Sequence, residues 1–311
     1  MPNRYDRHLG ALFGLALGDA LGTTLEFKPP GSFAPIADMI GGGPFGLKPG
    51  EWTDDTAMAM CLAESLLSQS GFDARDQIDR YRQWYRAGYW SCRDNCFDIG
   101  NTILAAIESF ERTGEPLAGS TDLHTAGNGS LMRLAPVPLY YANDPAKALA
   151  MSAESSRPTH QASACLDACS YFGGLIIGAL QERSKEELLS PGFTPLNAAT
   201  SYCPEIQAVA QGSFKAKEPP AIRGTGYVVD SLEAALWAFY KTNKFRDGAL
   251  FAVNLGDDAD TTGAIYGQLA GAYYGLGGLP EDWLEKLAWR KQIHRLADHL
   301  FKAATTQVTA P

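Results

Sequence analysis

The sequence predicts an all-α fold, one compact domain of many helices over residues 1–311, and three observations predict it. Apolar residues recur with a period near 3.6 through 55–68, 76–87, 98–111, 161–183, 231–241, 261–274 and 281–302. Helix-stopping clusters fall between those runs, among them Gly41-Gly42-Gly43-Pro44, Asn143-Asp144-Pro145, Pro219-Pro220 and Gly277-Gly278-Leu279-Pro280. No segment alternates apolar and polar residues for long, and only short apolar runs such as 137–141 are open to a strand. With 45% hydrophobic and 20% charged residues, the chain has the make-up of a globular protein, and no shift in composition divides it.

Taken in order, the first element carries Gly10, Gly14, Gly18 and Gly22 through LGALFGLALGDALG. A late one repeats the device with Gly263, Gly267, Gly271 and Gly275 through TGAIYGQLAGAYYG. Residues four apart stay nearly on one face of a helix, so each segment has a stripe bare of side chains. Glycine costs up to about 1 kcal/mol per helical position relative to alanine, so such a row needs a packing reason. Antiparallel packing of the two helices supplies one, and it would bring Glu26 close to Asp258 and Asp260. Two separate crowded contacts account for the glycines as well. The Gly/Pro-rich segment 31–50 reads as a long loop, a kind that is usually functional or disordered.

The next run, EWTDDTAMAM at 51–60, sets Asp54 and Asp55 side by side where a helix begins. Residues 254–263, NLGDDADTTG, follow the same grammar with Asp257, Asp258 and Asp260. Capping explains one carboxylate per helix, a contribution of about 1 kcal/mol, and leaves the others over. If four or five carboxylates meet in one place, each pair at 4 Å repels by about 4 kcal/mol at an effective dielectric near 20. A divalent cation removes that repulsion. The donors are carboxylates and hydroxyls, so the ion would be hard, Mg²⁺, Mn²⁺ or Ca²⁺ rather than Zn²⁺, and there are enough donors for two. On the residues alone, over-supplied caps and a metal site both stand.

The formal charge of -9, with no basic stripe to offset it, argues against nucleic acid as a partner. The start, MPNRYDRHLG, lacks the apolar run of a secretion signal. The stretch 263–279 is short and carries Gln268, so it reads as a buried helix, and no membrane partner is expected. Six cysteines without such a signal suggest reduced thiols in the cytoplasm. Cys92/Cys96 and Cys165/Cys169 each have the spacing of one helix face, and buried thiols explain them more simply than zinc. His294 and His299 are five apart and do not stack as a metal-binding helix pair would.

GDALG at 18–22 with Glu26, WTDDTAM, DIGNT at 98–102, GNGSLMR at 127–133 and GDDADTTGAIYGQLAG together resemble the ADP-ribosylglycohydrolase family. The resemblance keeps the motifs in order over about residues 8–276. Its nearest branch is the dinitrogenase reductase-activating glycohydrolases and bacterial ADP-ribosylarginine hydrolases. It implies an all-helical fold with a binuclear site for two divalent ions, Mg²⁺ or Mn²⁺. Thr53, Asp54 and Asp55 match the first ligand motif of that family, and Asp258, Asp260 and Thr261 match the second. Glu26 matches an acidic residue near the metals, and Asp98 with Asn101 a pair facing the substrate ribose. Asn128, Gly129 and Ser130 match a loop whose backbone amides approach a diphosphate, His160 an active-site histidine, and Tyr227 an aromatic stacked on adenine. Taken alone, His160 reads as a capping or satisfied polar residue, Asp98 as a helix cap and Tyr227 as a core tyrosine. Asp257 and Ala259 depart from the Gly-Gly-Asp-Thr-Asp-Thr form of other branches.

The activity so implied is hydrolysis of the N-glycosidic bond between ADP-ribose and a modified arginine, with ADP-ribosylated protein and ADP-ribose as partners. Departure of the side chain builds oxocarbenium-like charge on the ribose, and hard ions would fix the sugar and activate water. Asp55 and Asp98 are the acid–base candidates, with Glu26 in competition. A non-catalytic ADP-ribose-binding relative, or a hydrolase of serine-, acetyl- or base-linked ADP-ribose, is the alternative. Residues 31–50 and 85–95 are expected at the substrate rim.

Overall fold

The helices follow the apolar runs, and some of them begin at side-chain caps. The structure, a computed structural model, describes residues 2–196 and 201–306. In chain order the helices are α1 (Arg4–Gly22), α2 (Asp54–Ser68), α3 (Ala74–Ala87), α4 (Asn101–Thr113), α5 (Pro136–Tyr140), α6 (Pro145–Glu154) and α7 (Ser163–Leu180). There follow α8 (Lys185–Leu188), α9 (Pro204–Ala210), α10 (Val228–Lys241), α11 (Phe245–Val253), α12 (Ala259–Tyr274), α13 (Glu281–Lys286) and α14 (Arg290–Thr306). Asn3 caps α1 by accepting from the Asp6 N–H, and Asp73 and Asp144 do the same for α3 and α6. Among the described residues there is no strand, only three isolated bridges.

The two glycine-striped helices form the centre and lie antiparallel. A Cβ added at Gly10 would sit 2.3 Å from the Gly271 carbonyl oxygen, at Gly14 2.1 Å from that of Gly267, and at Gly18 1.9 Å from that of Gly263. At Gly22 the opposing oxygen is that of Ala259, at 2.3 Å. Each step of four up α1 is matched by four down α12, so the backbones touch along the whole interface. No residue with a Cβ fits there. Both helices are buried on every side from Arg7 to Gly22 and from Ala259 to Ala272. The surrounding layer of α2, α7, α10, α11 and α14 packs on this pair.

This register settles where the site forms. The end of α1 meets the start of α12, and the chain beyond Gly22 is tied down by the Phe27 N–H to the Asp257 carbonyl (2.7 Å) and the Asp257 N–H to that of Lys28 (2.8 Å). Glu26 is thereby held beside the first turn of α12.

Several expectations need correction. The run 281–302 breaks into α13 and α14, because the Ala288 N–H goes to the Gly50 carbonyl, the Ala288 carbonyl accepts from Trp52 Nε1, and Trp289 adopts a φ of 55°. The run 137–141, open to a strand, instead supplies the short helix α5 through Tyr140, with Pro136 at its start and Tyr141 as its C-cap. Cys165 and Cys169 do share a face of α7, but Cys92 and Cys96 lie in the non-helical segment before α4. All six cysteines are free thiols. Helix Ser163–Leu180, not 263–279, is the one described helix long and apolar enough to cross a membrane, and 78% of it is buried inside the fold. Residues 31–50 form no helix; Asp38 anchors them to Trp283 and Lys286, and Arg93 to the carbonyls of Phe45 and Gly46.

Candidate active site

Helix α2 starts without help from its own acids. Its N-cap, Thr53, makes no side-chain capping bond. The cap is instead Asp19, from the last turn of α1: Oδ1 accepts from the Thr53 N–H and hydroxyl, both at 2.9 Å, and Oδ2 from the Thr56 N–H at 3.0 Å and hydroxyl at 2.5 Å. A capping role for Asp54 or Asp55 is therefore not observed. At α12 the N-cap residue Asp258 likewise makes no capping bond, and its carboxylate accepts from Asn128 Nδ2 at 2.9 Å. Asp98 is not a cap either: α4 begins three residues later behind Gly100, and Asp98 sits in the left-handed region at φ 58°.

With the caps supplied elsewhere, the carboxylates converge. Glu26, Asp98 and Asp260 bring oxygens within 4.8 Å of one another, and so do Asp54, Asp55 and Asp260, so that Asp260 belongs to both groups. Thr53 Oγ1 lies 3.3 Å from Asp55 Oδ2 and 3.2 Å from Asp260 Oδ2, and Thr261 Oγ1 lies 3.5 Å from Asp55 Oδ2. Asp257 leaves the cluster: it turns outward at φ 54° and pairs with Arg223. The positive ends of α2 and α12 both point at the cluster, which offsets part of its charge.

These acids are held under strong electrostatic pressure. Burial first, then neighbouring carboxylates, pushes Asp54, Asp55 and Asp260 well above the ordinary carboxylate range. Burial followed by Asp98 pushes Glu26 up to about 10, and burial pushes Asp98 up to about 7. Asp19 rises to about 6 through burial, although four donors oppose the shift. Three buried oxygens, Glu26 Oε2, Asp55 Oδ1 and Asp260 Oδ1, have no hydrogen-bond partner. Orphaned acceptors within an all-oxygen cluster fit a hard divalent cation, which would satisfy them and cancel the repulsion.

The cluster forms the floor of a cleft of about 480 Å³. Glu26, Asp54, Asp98, Asp258, Asp260 and Thr261 line it, with Asn101, Asn128, Gly129 and His160 on the walls and Phe27 exposed at the mouth. Asp55 and Thr53 lie beneath, fully buried. Gly129 sits in a crowded spot, where a Cβ would come within 2.9 Å of His160 Cε1 and Ile103 Cδ1 and one of those side chains would have to shift. Among the described residues, the N–H groups of Gly129 and Ser130 donate to no acceptor, so two adjacent donors are free at that turn. The Ser130 side chain points away from the cleft and accepts from Ser156 Oγ at 2.8 Å. Tyr227 lines not this cleft but an adjoining one, joined to it through Thr102, Gly127 and Gly226. Neither 31–50 nor 85–95 reaches the lining; Phe27 and Ile99–Ile103 occupy the rim instead.

A model of the ADP-ribosylglycohydrolase family matches residues 1–309. The chain belongs to the ADP-ribosylglycohydrolase family. It is 45% identical over 299 residues to the ADP-ribosylarginine hydrolase Tri1 of Pseudomonas putida (strain GB-1), covering 96% of this chain and 79% of that protein. It is 33% identical to the ADP-ribosyl-[dinitrogen reductase] glycohydrolase of Rhodospirillum rubrum, covering 97% and 98%. A solved structure described as an ADP-ribosylglycohydrolase-related protein complex superposes with a TM-score of 0.86 at 45% identity, over 98% of this chain and all of that one.

For a member of this family, the residue most plainly overlooked in the sequence is Asp19. The signal was present: it is the one charged residue in the glycine-striped run 9–22, where an unpaired charge would be strongly unfavourable. Phe27 was also overlooked, and no pattern marks it, because its position comes from a backbone clasp with Asp257 far along the chain.

Proposed function

We propose that this protein is a metal-dependent ADP-ribosylarginine hydrolase. One observation carries the reading: two carboxylate groups sharing Asp260 lie under a cleft lined by Gly129, at whose turn two backbone N–H groups are free. A diphosphate suits the donors and a ribose diol suits the oxygen floor. The names of the relatives from Pseudomonas putida and Rhodospirillum rubrum support the reaction class.

In this reading Asp54, Asp55 and Asp260, with Thr53, would hold one divalent ion, and Glu26, Asp98 and Asp260, with Asp258 and Thr261 nearby, a second, Mg²⁺ or Mn²⁺ in each case. When bound, such ions supply Lewis-acid binding of the ribose hydroxyls and of the attacking water. Asn101 and Asp98 orient the ribose, and Tyr227 carries the adenine in the adjoining cleft. The C1″–N bond breaks, the water oxygen bonds to C1″ and gives up one proton to a cleft carboxylate, and one proton moves from the acid to the leaving guanidine nitrogen. Glu26 and Asp98 stand beside one another in the cleft lining, which favours this pair as the donor. Asp55 lies below the floor and serves as a ligand rather than a proton carrier. The six free thiols favour a reducing compartment, the cytoplasm.

The test is release of ADP-ribose from a panel of arginine-, serine- and acetyl-linked substrates with Mg²⁺ or Mn²⁺. Turnover of the arginine linkage, lost in excess chelator, is expected. Full activity in chelator, or binding of ADP-ribose with no turnover on any linkage, overturns it.

A further inference from the structure

Arg133 carries a charge that the fold does not explain. Its guanidinium is completely buried, lies 4.4 Å above the Tyr81 ring, and has no carboxylate in ion-pair reach among the described residues. Nη1 touches only Met58 Sδ at 3.7 Å, and Nε has no partner. Burying a cation so poorly matched costs several kcal/mol, on the order of the net stability of many domains. Its one strong bond runs from Nη2 to Thr159 Oγ1, at 2.6 Å. Thr159 Oγ1 in turn lies 2.8 Å from His160 Nδ1.

Hydrogen counting fixes the direction of this chain. Arginine can only donate, so Thr159 Oγ1 accepts from it. The hydroxyl has one hydrogen of its own, Thr159 is fully buried, and among the described residues His160 Nδ1 is the acceptor within reach. A proton on Nδ1 would leave that hydroxyl hydrogen unsatisfied, at about 1–3 kcal/mol. The ring proton therefore belongs on Nε2, the atom on the cleft side: it lies 3.4 Å from where a Gly127 Cβ would be, and His160 lines the cavity. Burial, with Arg133 behind it, also holds the ring neutral by lowering its pKa to about 3.

We infer that Arg133 and Thr159 are positioning residues that lock His160 as the neutral Nε2–H tautomer, so that it offers a fixed N–H donor to a phosphate oxygen of a diphosphate ligand. The ligand half of this rests on the reading under Proposed function; the tautomer half does not. With the free N–H group of Gly129, which lines the same cleft, His160 gives that wall two neutral donors. That matters because among the described residues no lysine or arginine lines the cleft, while five carboxylates do. The dipoles along Arg133–Thr159–His160 carry positive potential to a wall that has no cation of its own.

The experiment is ¹⁵N NMR of histidine-labelled protein at pH 7, with His160 assigned by its loss in His160→Gln, alongside calorimetry with ADP-ribose. The wild type is expected to show a protonated Nε2 and an unprotonated, hydrogen-bonded Nδ1. Thr159→Ser keeps that pattern and the affinity. Thr159→Val mixes the tautomers and weakens ADP-ribose roughly tenfold, one good hydrogen bond, while the Mn²⁺-dependent rise in melting temperature is unchanged. A wild-type ring protonated on Nδ1, or on both nitrogens, overturns the relay even if Thr159→Val fails to fold. Tautomer mixing without loss of affinity, or equal losses in Ser and Val, overturns the ligand assignment. Absence of ADP-ribose turnover in the wild type would sink the proposed function and leave the tautomer result standing.

Discussion

Asp19 Oδ2 accepts both the backbone N–H and the hydroxyl of Thr56, at 3.0 and 2.5 Å, while its other oxygen serves Thr53 in the same way. One carboxylate on α1 thus performs the whole capping task for α2. It does so across 37 residues of sequence, and it leaves Asp54 and Asp55 free to face the cluster. The repulsion among the remaining acids is then a property of the site, held in place by a rigid pair of helices.

Removing that cap should be costly. Asp19→Ala leaves two N–H groups and two hydroxyls without their acceptor and is expected to lower stability by about 3 kcal/mol. Urea unfolding in the metal-free state measures it. In the same assay Asp54→Ala, which deletes a buried like charge, should leave stability unchanged or raise it.

Because Asp260 belongs to both carboxylate groups and Asp54 to one, the two should differ in metal stoichiometry. Titration calorimetry with Mn²⁺ is expected to find two ions in the wild type, one in Asp54→Ala and none in Asp260→Ala. Asp55→Ala and Asp258→Ala should lose ADP-ribose release while far-UV dichroism shows the helices retained. Equal stoichiometry in all variants would remove the shared-ligand arrangement.

The acids also set a pH dependence. Each has a folded pKa raised above its unfolded value near 4, so the folded state binds more protons and stability falls as pH rises. The contribution is fully present below about 4 and is lost through about 6 at Asp19, about 7 at Asp98 and about 10 at Glu26. His8 and His160, lowered to about 4 and about 3 by burial, act oppositely: their contribution is present above their unfolded value near 6.5 and is lost as pH falls. Metal-free protein should therefore have a melting temperature that declines from neutral to alkaline pH. Added Mg²⁺ should cancel the decline, because it competes for the same deprotonated oxygens. A metal-free melting temperature that rises from pH 7 to 9 would contradict the cluster's electrostatics.

The central interface predicts a sharp steric effect. Gly14→Ala would push a methyl to 2.1 Å from the Gly267 carbonyl oxygen, where both partners are backbone, and should cost about 3 kcal/mol or more. Gly114→Ala, at φ 72° with nothing near its missing Cβ, should cost only about 1 kcal/mol. Thermal denaturation of the two variants compares them directly.

The sequence by itself determined the helical class, the two glycine stripes and the two acidic starts at 53–55 and 258–261, while the antiparallel pairing of the stripes is seen only in the packed molecule. Each of the first three is written in local periodicity or in residue types with few alternative uses. Tertiary structure alone decided which acid caps and which is spare, since Asp19 reaches Thr53 and Thr56 from another helix. It also decided that 281–302 breaks at Trp289, where the Gly50 carbonyl and Trp52 take the backbone groups a continuous helix would use. It sent Asp257 out to Arg223, turned Asp98 inward at a left-handed φ, and put His160 in line with a buried arginine. Hydrogen-bond partners distant in sequence leave no periodic trace, so a chain can announce its helices and its acids while only the packed molecule says which atoms they serve.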